Sequence, residues 1–131
     1  TNRSPLIRIP VTRGAGTRVE LRCPDPAANP YLVLAVCLEA GLDGIRNQIT
    51  PPDAVTENVF EMQLQQRAKL GIESLPGDLE QAVEELEKDD YIKSVLGGHI
   101  TEKYLEAKKA EWADYRAQVT EWEIEKYLYK I

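Results

Sequence analysis

The chain has 131 residues, 43% of them apolar, and 22 Asp and Glu against 16 Lys and Arg for a net charge of −6. That suits one domain with a core, while the acidic balance argues against nucleic-acid binding, and no uncharged apolar run reaches the roughly 18 residues a membrane span needs. Thr1-Asn2-Arg3 has no signal-peptide organisation, and Cys23 and Cys37 sit in apolar settings, so a cytoplasmic protein with buried thiols and no disulfide is expected.

The first stretch alternates. Ile7, Ile9 and Val11 oppose Arg8, and Arg18, Glu20 and Arg22 oppose Val19, Leu21 and Cys23. A period of two places like residues on one face of a strand, so strands are expected over about 6–11 and 18–23. Between them Arg13-Gly14-Ala15-Gly16-Thr17 can turn the chain back, pairing the strands antiparallel. Charge separates in the same place. Residues 1–23 hold five arginines against Glu20 for a net of +4, and the remainder holds 11 basic and 21 acidic residues for −10. Guanidinium groups grip carboxylate or phosphate with paired hydrogen bonds, which lysine does not. Two readings of this face stay open on the residues alone: an Arg–Glu–Arg ion cluster, or a phosphate and carboxylate site in which Glu20 holds a divalent cation.

Pro24-Asp25-Pro26 ends the second strand, and Asn29-Pro30 reads as a cap and first turn. The helix from 31 to about 47 is apolar on nearly every side and is expected in an interior, with Gly41 and Gly44 permitting close packing. Residues 53–77 are irregular, with a short apolar anchor at 58–62 and a turn or two of helix before Gly71. Asp78 is expected to cap a helix with an apolar stripe of Leu79, Ala82, Val83 and Leu86. Asp89 or Asp90 caps a short helix stopped at Gly97-Gly98, and Thr101 caps a longer one to about Val119. Thr120 and Glu123 form a capping box for the last helix. The single histidine, His99, rules out a histidine-based metal cluster. The fold class is therefore α+β: a short antiparallel strand pair followed by a mostly helical body over about 30–131.

The runs Asn2-Arg3-Ser4-Pro5-Leu6-Ile7-Arg8-Ile9-Pro10, Arg18-Val19-Glu20-Leu21-Arg22-Cys23-Pro24-Asp25-Pro26-Ala27-Ala28-Asn29-Pro30-Tyr31-Leu32 and Ala40-Gly41-Leu42-Asp43-Gly44-Ile45 resemble the C-terminal part of the catalytic domain of type I glutamine synthetase. The likeness continues through Gly71-Ile72-Glu73-Ser74-Leu75-Pro76 and Glu111-Trp112 to Trp122-Glu123, covering essentially the whole chain. It implies ATP-dependent ligation of ammonia to L-glutamate through γ-glutamyl phosphate, with Mg2+ or Mn2+ as cofactor.

By this resemblance Arg3 contacts the transferring phosphoryl group and helps bind glutamate. Arg8 and Arg18 bind nucleotide phosphates, Glu20 is a metal ligand, and Arg22 clamps the glutamate carboxylate. Arg13 receives no role. Phe60 stands where one branch of the family carries an adenylylated tyrosine, so the chain resembles the branch without that switch. The resemblance also implies that the remaining metal ligands and a small N-terminal domain lie upstream. The chain is thus expected to be a piece of a homo-oligomeric enzyme, a dodecamer, and inactive alone. Two other readings are a γ-glutamyl-amine (polyamine) ligase of the same family and a non-catalytic assembly module.

Overall fold

The computed structural model describes residues 4–130, which fall into two compact units divided between Ser74 and Leu75. In the first unit β1 (Ile7–Arg8) pairs antiparallel with β2 (Glu20–Leu21), Ile7 opposite Leu21 and Arg8 opposite Glu20. The Arg22 N–H donates to the Leu6 carbonyl at 3.0 Å and extends this contact by one step. The regular ladder is shorter than the expected spans. Pro10 has no N–H to contribute, and a 3-10 turn at Gly14–Gly16 takes up the connector. Gly14 there has φ +70, where a side chain would be strained.

Helix α1 (Pro30–Arg46) starts where the sequence places it: the Asn29 side chain accepts the N–H groups of Tyr31 and Leu32. It ends in a Schellman motif, with Ile49 N–H bonded to the Gly44 carbonyl and Gln48 N–H to that of Ile45. Gln48 occupies the left-handed position at φ 53, which glycine fills more cheaply. Two expectations for this helix are corrected. No residue of α1 is buried, and Tyr31, Leu34, Leu38 and Ile45 are 83%, 68%, 64% and 75% exposed. A Cβ at Gly41 or Gly44 would meet nothing within 4 Å, so neither glycine serves a close contact among the described residues. Burial needs a covering surface, and the described residues cover this helix only in part, leaving Leu32, Val33, Val36 and Leu42 half-buried. For the same reason Cys23 is exposed and Cys37 only half-buried, contrary to the expected burial of both; both are free thiols.

Beyond α1, a 3-10 turn at Val59–Glu61 is capped by Asn58, whose side chain accepts the Phe60 N–H. Met62, at the end of this turn, is one of two buried apolar residues among the described residues, whereas Phe60 points outward at 78% exposure. Helix α2 (Leu64–Lys69) closes on Gly71 in the left-handed conformation.

The second unit contains α3 (Leu79–Lys88), α4 (Asp90–Leu96) and α5 (Gly98–Arg116). Asp78 and Asp89 cap α3 and α4 through the N–H groups of Gln81 and Ile92. Val83, from the expected apolar stripe, is buried. The expected cap at Thr101 is corrected. Gly97, at φ 77 and ψ 155, turns the chain so sharply that α5 begins at Gly98. Thr101 lies inside the helix, buried, and its hydroxyl donates to the Lys93 carbonyl. Ion pairs Lys109–Glu87 and Arg116–Glu80 link α5 to α3. The Thr120–Glu123 capping box forms as expected over α6 (Glu121–Glu123), but the chain then widens into a π-helical segment at Ile124–Leu128.

Candidate functional site

The antiparallel register decides which side chains meet. Arg8 and Glu20 are directly opposite, so their side chains leave the same face, and the period of two brings Arg18 and Arg22 to that face as well. Arg8 Nη1 donates to Glu20 Oε2 at 2.8 Å. Arg18 grips the other carboxylate oxygen, Oε1, with Nε at 3.0 Å and Nη2 at 2.7 Å. Arg22 Nη2 stands 3.9 Å from Oε2, an ion pair outside hydrogen-bond distance. One carboxylate thus faces three guanidiniums, and the Glu20 side chain remains 26% exposed. Hydrogen bonds from Arg8, then Arg18, hold the Glu20 carboxyl below its ordinary pKa. Arg13 turns away and donates to the carbonyls of Pro10 and Thr12, consistent with its having no assigned part. Arg3 lies outside the described residues.

Three cations around one anion leave local positive charge in a half-open setting. That favours a second anion, and guanidinium forks suit phosphate or carboxylate oxygens. A divalent cation is a different matter. Magnesium takes an octahedron of oxygens from carboxylates, water and phosphates. Among the described residues no three His, Cys, Asp or Glu side chains come together as a metal would need. Both Glu20 oxygens are also already engaged by arginines. These residues do not by themselves fit a divalent cation.

One contribution to this site escapes sequence reading. The Val59 N–H donates to the Ser4 hydroxyl oxygen at 3.0 Å, tying the approach to β1 to a turn 55 residues away. No local pattern signals such a bond.

A two-stranded antiparallel ladder bearing an arginine face, followed by helices, places this chain in the α+β class. The family model for the glutamine synthetase catalytic domain matches residues 1–127. The glutamine synthetases of Clostridium saccharobutylicum and Thermotoga maritima are 54% and 55% identical over 129 and 128 residues, 98% of this chain and 29% of each relative. That of Methanocaldococcus jannaschii is 51% identical over 127 residues, 97% of this chain and 28% of its own length. A solved structure described as apo GmaS without ligand superimposes with a TM-score of 0.80 at 40% identity, covering 97% of this chain and 28% of that one. The chain belongs to the glutamine synthetase catalytic-domain family and spans less than a third of the length of these relatives.

Proposed function

We propose that the complete protein to which this chain belongs ligates ammonia to L-glutamate at the expense of ATP. The observation that carries this reading is the Arg8–Glu20–Arg18 constellation, with Arg22 beside it, on a chain 51–55% identical to three glutamine synthetases.

The chemistry sets the roles. A γ-carboxylate oxygen of glutamate attacks the γ-phosphorus of ATP, and ADP leaves. Ammonia then attacks the acyl carbon of γ-glutamyl phosphate, loses a proton and expels phosphate. Transferring a phosphoryl group spreads charge over its oxygens, and positioned cations lower that barrier. Arg8 and Arg18 bind ATP phosphates, and Arg3 contacts the transferring group and helps hold glutamate. Arg22 clamps the substrate carboxylate. Members of this family use ATP and a divalent metal; such an ion would neutralise charge on the phosphate oxygens, and Glu20, once released by its arginines, would be one carboxylate ligand beside others supplied from outside the described residues.

Before substrate arrives, Glu20 shields its arginines from one another. An incoming phosphate or carboxylate competes for the same N–H groups, so site assembly is an exchange of anions. The exposed apolar stripe of α1 supports a complete protein in which other segments or subunits cover it; the family likeness alone is the ground for proposing a homo-oligomer with twelve subunits in the cytoplasm. Phe60 has no hydroxyl to modify, which supports the branch without the tyrosine switch.

Isotope transfer tests the reaction. With 18O in the glutamate γ-carboxylate, one label per turnover is expected in the released phosphate. Unlabelled phosphate would rule out the acyl-phosphate route.

A further inference from the structure

We infer that Ser4 is a positioning residue for the arginine face, acting through the turn at Val59–Glu61. This rests on the ligase reading only for its kinetic test.

A two-residue ladder is a weak locator. Isolated strand pairs are marginal in water, and β1 meets β2 at just Ile7–Leu21 and Arg8–Glu20, with the Leu6–Arg22 bond beside them. The direction in which β1 enters that ladder therefore depends on what holds the chain before it. Ser4, half-buried, lies two residues before Leu6, and its hydroxyl oxygen accepts the Val59 N–H at 3.0 Å.

The other end of this bond is firm. Asn58 Oδ1 accepts the Phe60 N–H at 3.2 Å, and Asn58 Nδ2 donates to Glu61 Oε1 at 2.6 Å. The Glu61 N–H closes the turn on the Asn58 carbonyl and the Met62 N–H on that of Val59. Met62 is 8% exposed and anchors the turn in the small core of this unit. Ser4 thus joins a closed, anchored turn to a segment whose ladder is two residue pairs and the Leu6–Arg22 bond. Arg3 is covalently next to Ser4, and Arg8 is four residues on. Displacements of about 1 Å in such groups cost on the order of a hundredfold in rate, so a fixed entry to β1 has functional consequence.

A purely local role is the competing explanation: Ser4 caps the turn and nothing more. Ser4→Ala in the complete protein separates the two. Positioning predicts kcat for glutamine formation lower by about tenfold, with the KM values for ATP and glutamate within about twofold, the pattern of an interaction realised in the transition state. Ser4→Thr keeps the hydroxyl and returns kcat to within about twofold. Asn58→Ala loosens the turn from its own side and reproduces the loss. The double variant is then no worse than either single one, because both break one connection. Should Ser4→Ala fail to fold, Asn58→Ala carries the kinetic test. A readout independent of the reaction is hydrogen exchange at the Arg22 amide, bonded to the Leu6 carbonyl across the ladder. It should speed up by about fivefold in either variant. Unchanged kcat, or faster exchange confined to Val59 and its turn, overturns the inference. If the unsubstituted protein makes no glutamine, the ligase reading fails, and the Arg22 amide alone decides whether Ser4 positions β1.

Discussion

Replacing Arg22 by alanine tests the division of labour along β2. Arg22 lies 3.9 Å from Glu20, whereas Arg8 and Arg18 make hydrogen bonds at 2.8 and 2.7 Å. Removing the Arg22 side chain therefore leaves the three hydrogen bonds from Arg8 and Arg18 to Glu20 in place, and the face keeps its arrangement. On the proposed roles, what is lost is a guanidinium fork for the substrate carboxylate. Two charge-assisted hydrogen bonds of about 1.5 kcal/mol each give about 3 kcal/mol, or roughly a hundredfold in glutamate affinity. Steady-state kinetics on the complete protein, varying glutamate at saturating ATP and ammonium, should show the glutamate KM rising by about that factor. Binding lost equally from ground and transition states leaves kcat nearly unchanged. An unchanged glutamate KM together with lost ATP binding would show that the roles along the strand are misassigned.

Other expected outcomes are as specific. The Glu20 carboxyl titrates below its ordinary value of 4.5 because its ionised form is held by Arg8 and Arg18. Its contribution to the fold is therefore complete above that value and fades as pH falls through the lower folded-state pKa, which carboxyl NMR titration reads directly; a midpoint at or above 4.5 would contradict the cluster. Gln48→Gly relieves the left-handed position that ends α1 and should stabilise the protein by about 0.5–1 kcal/mol in denaturant unfolding, while Gln48→Val should destabilise it. Leu34→Asp or Leu38→Asp should change the stability of this chain alone by no more than about 0.5 kcal/mol, since both side chains are exposed. The same substitutions should prevent assembly of the complete protein by size-exclusion chromatography, if segments or subunits beyond these residues cover α1. Equal effects in both would disprove that cover.

What the sequence made legible follows the range of the interactions. Caps at Asn29, Asp78, Asp89 and Thr120 form because each bond spans two or three residues and needs only the right side chain before the right turn. The arginine face was readable because alternation fixes a face before pairing is known, and register then only had to bring Arg8 opposite Glu20. The beginning of α5 was misread because Thr101 offers the chemistry of a cap, while Gly97 supplies the conformation that starts the helix four residues sooner. The burial of α1 was misread for another reason. An all-round apolar helix states what it needs covered but not whether the cover is in the same chain. The Ser4–Val59 bond was invisible for want of any pattern linking positions 55 residues apart. Substrate roles rest on family resemblance alone, since an Arg–Glu–Arg cluster has the same spacing whether it binds an anion or merely balances charge.

The proposal that the complete protein is a glutamate–ammonia ligase is tested most directly by its choice of nitrogen nucleophile. Phosphate release should be measured with ATP and glutamate as ammonium is replaced, at equal concentration of free amine, by methylamine, ethanolamine and a polyamine. The account predicts release that requires glutamate, is fastest with ammonium and falls with amine size. Preference for a bulky amine, or release that does not depend on glutamate, would contradict it.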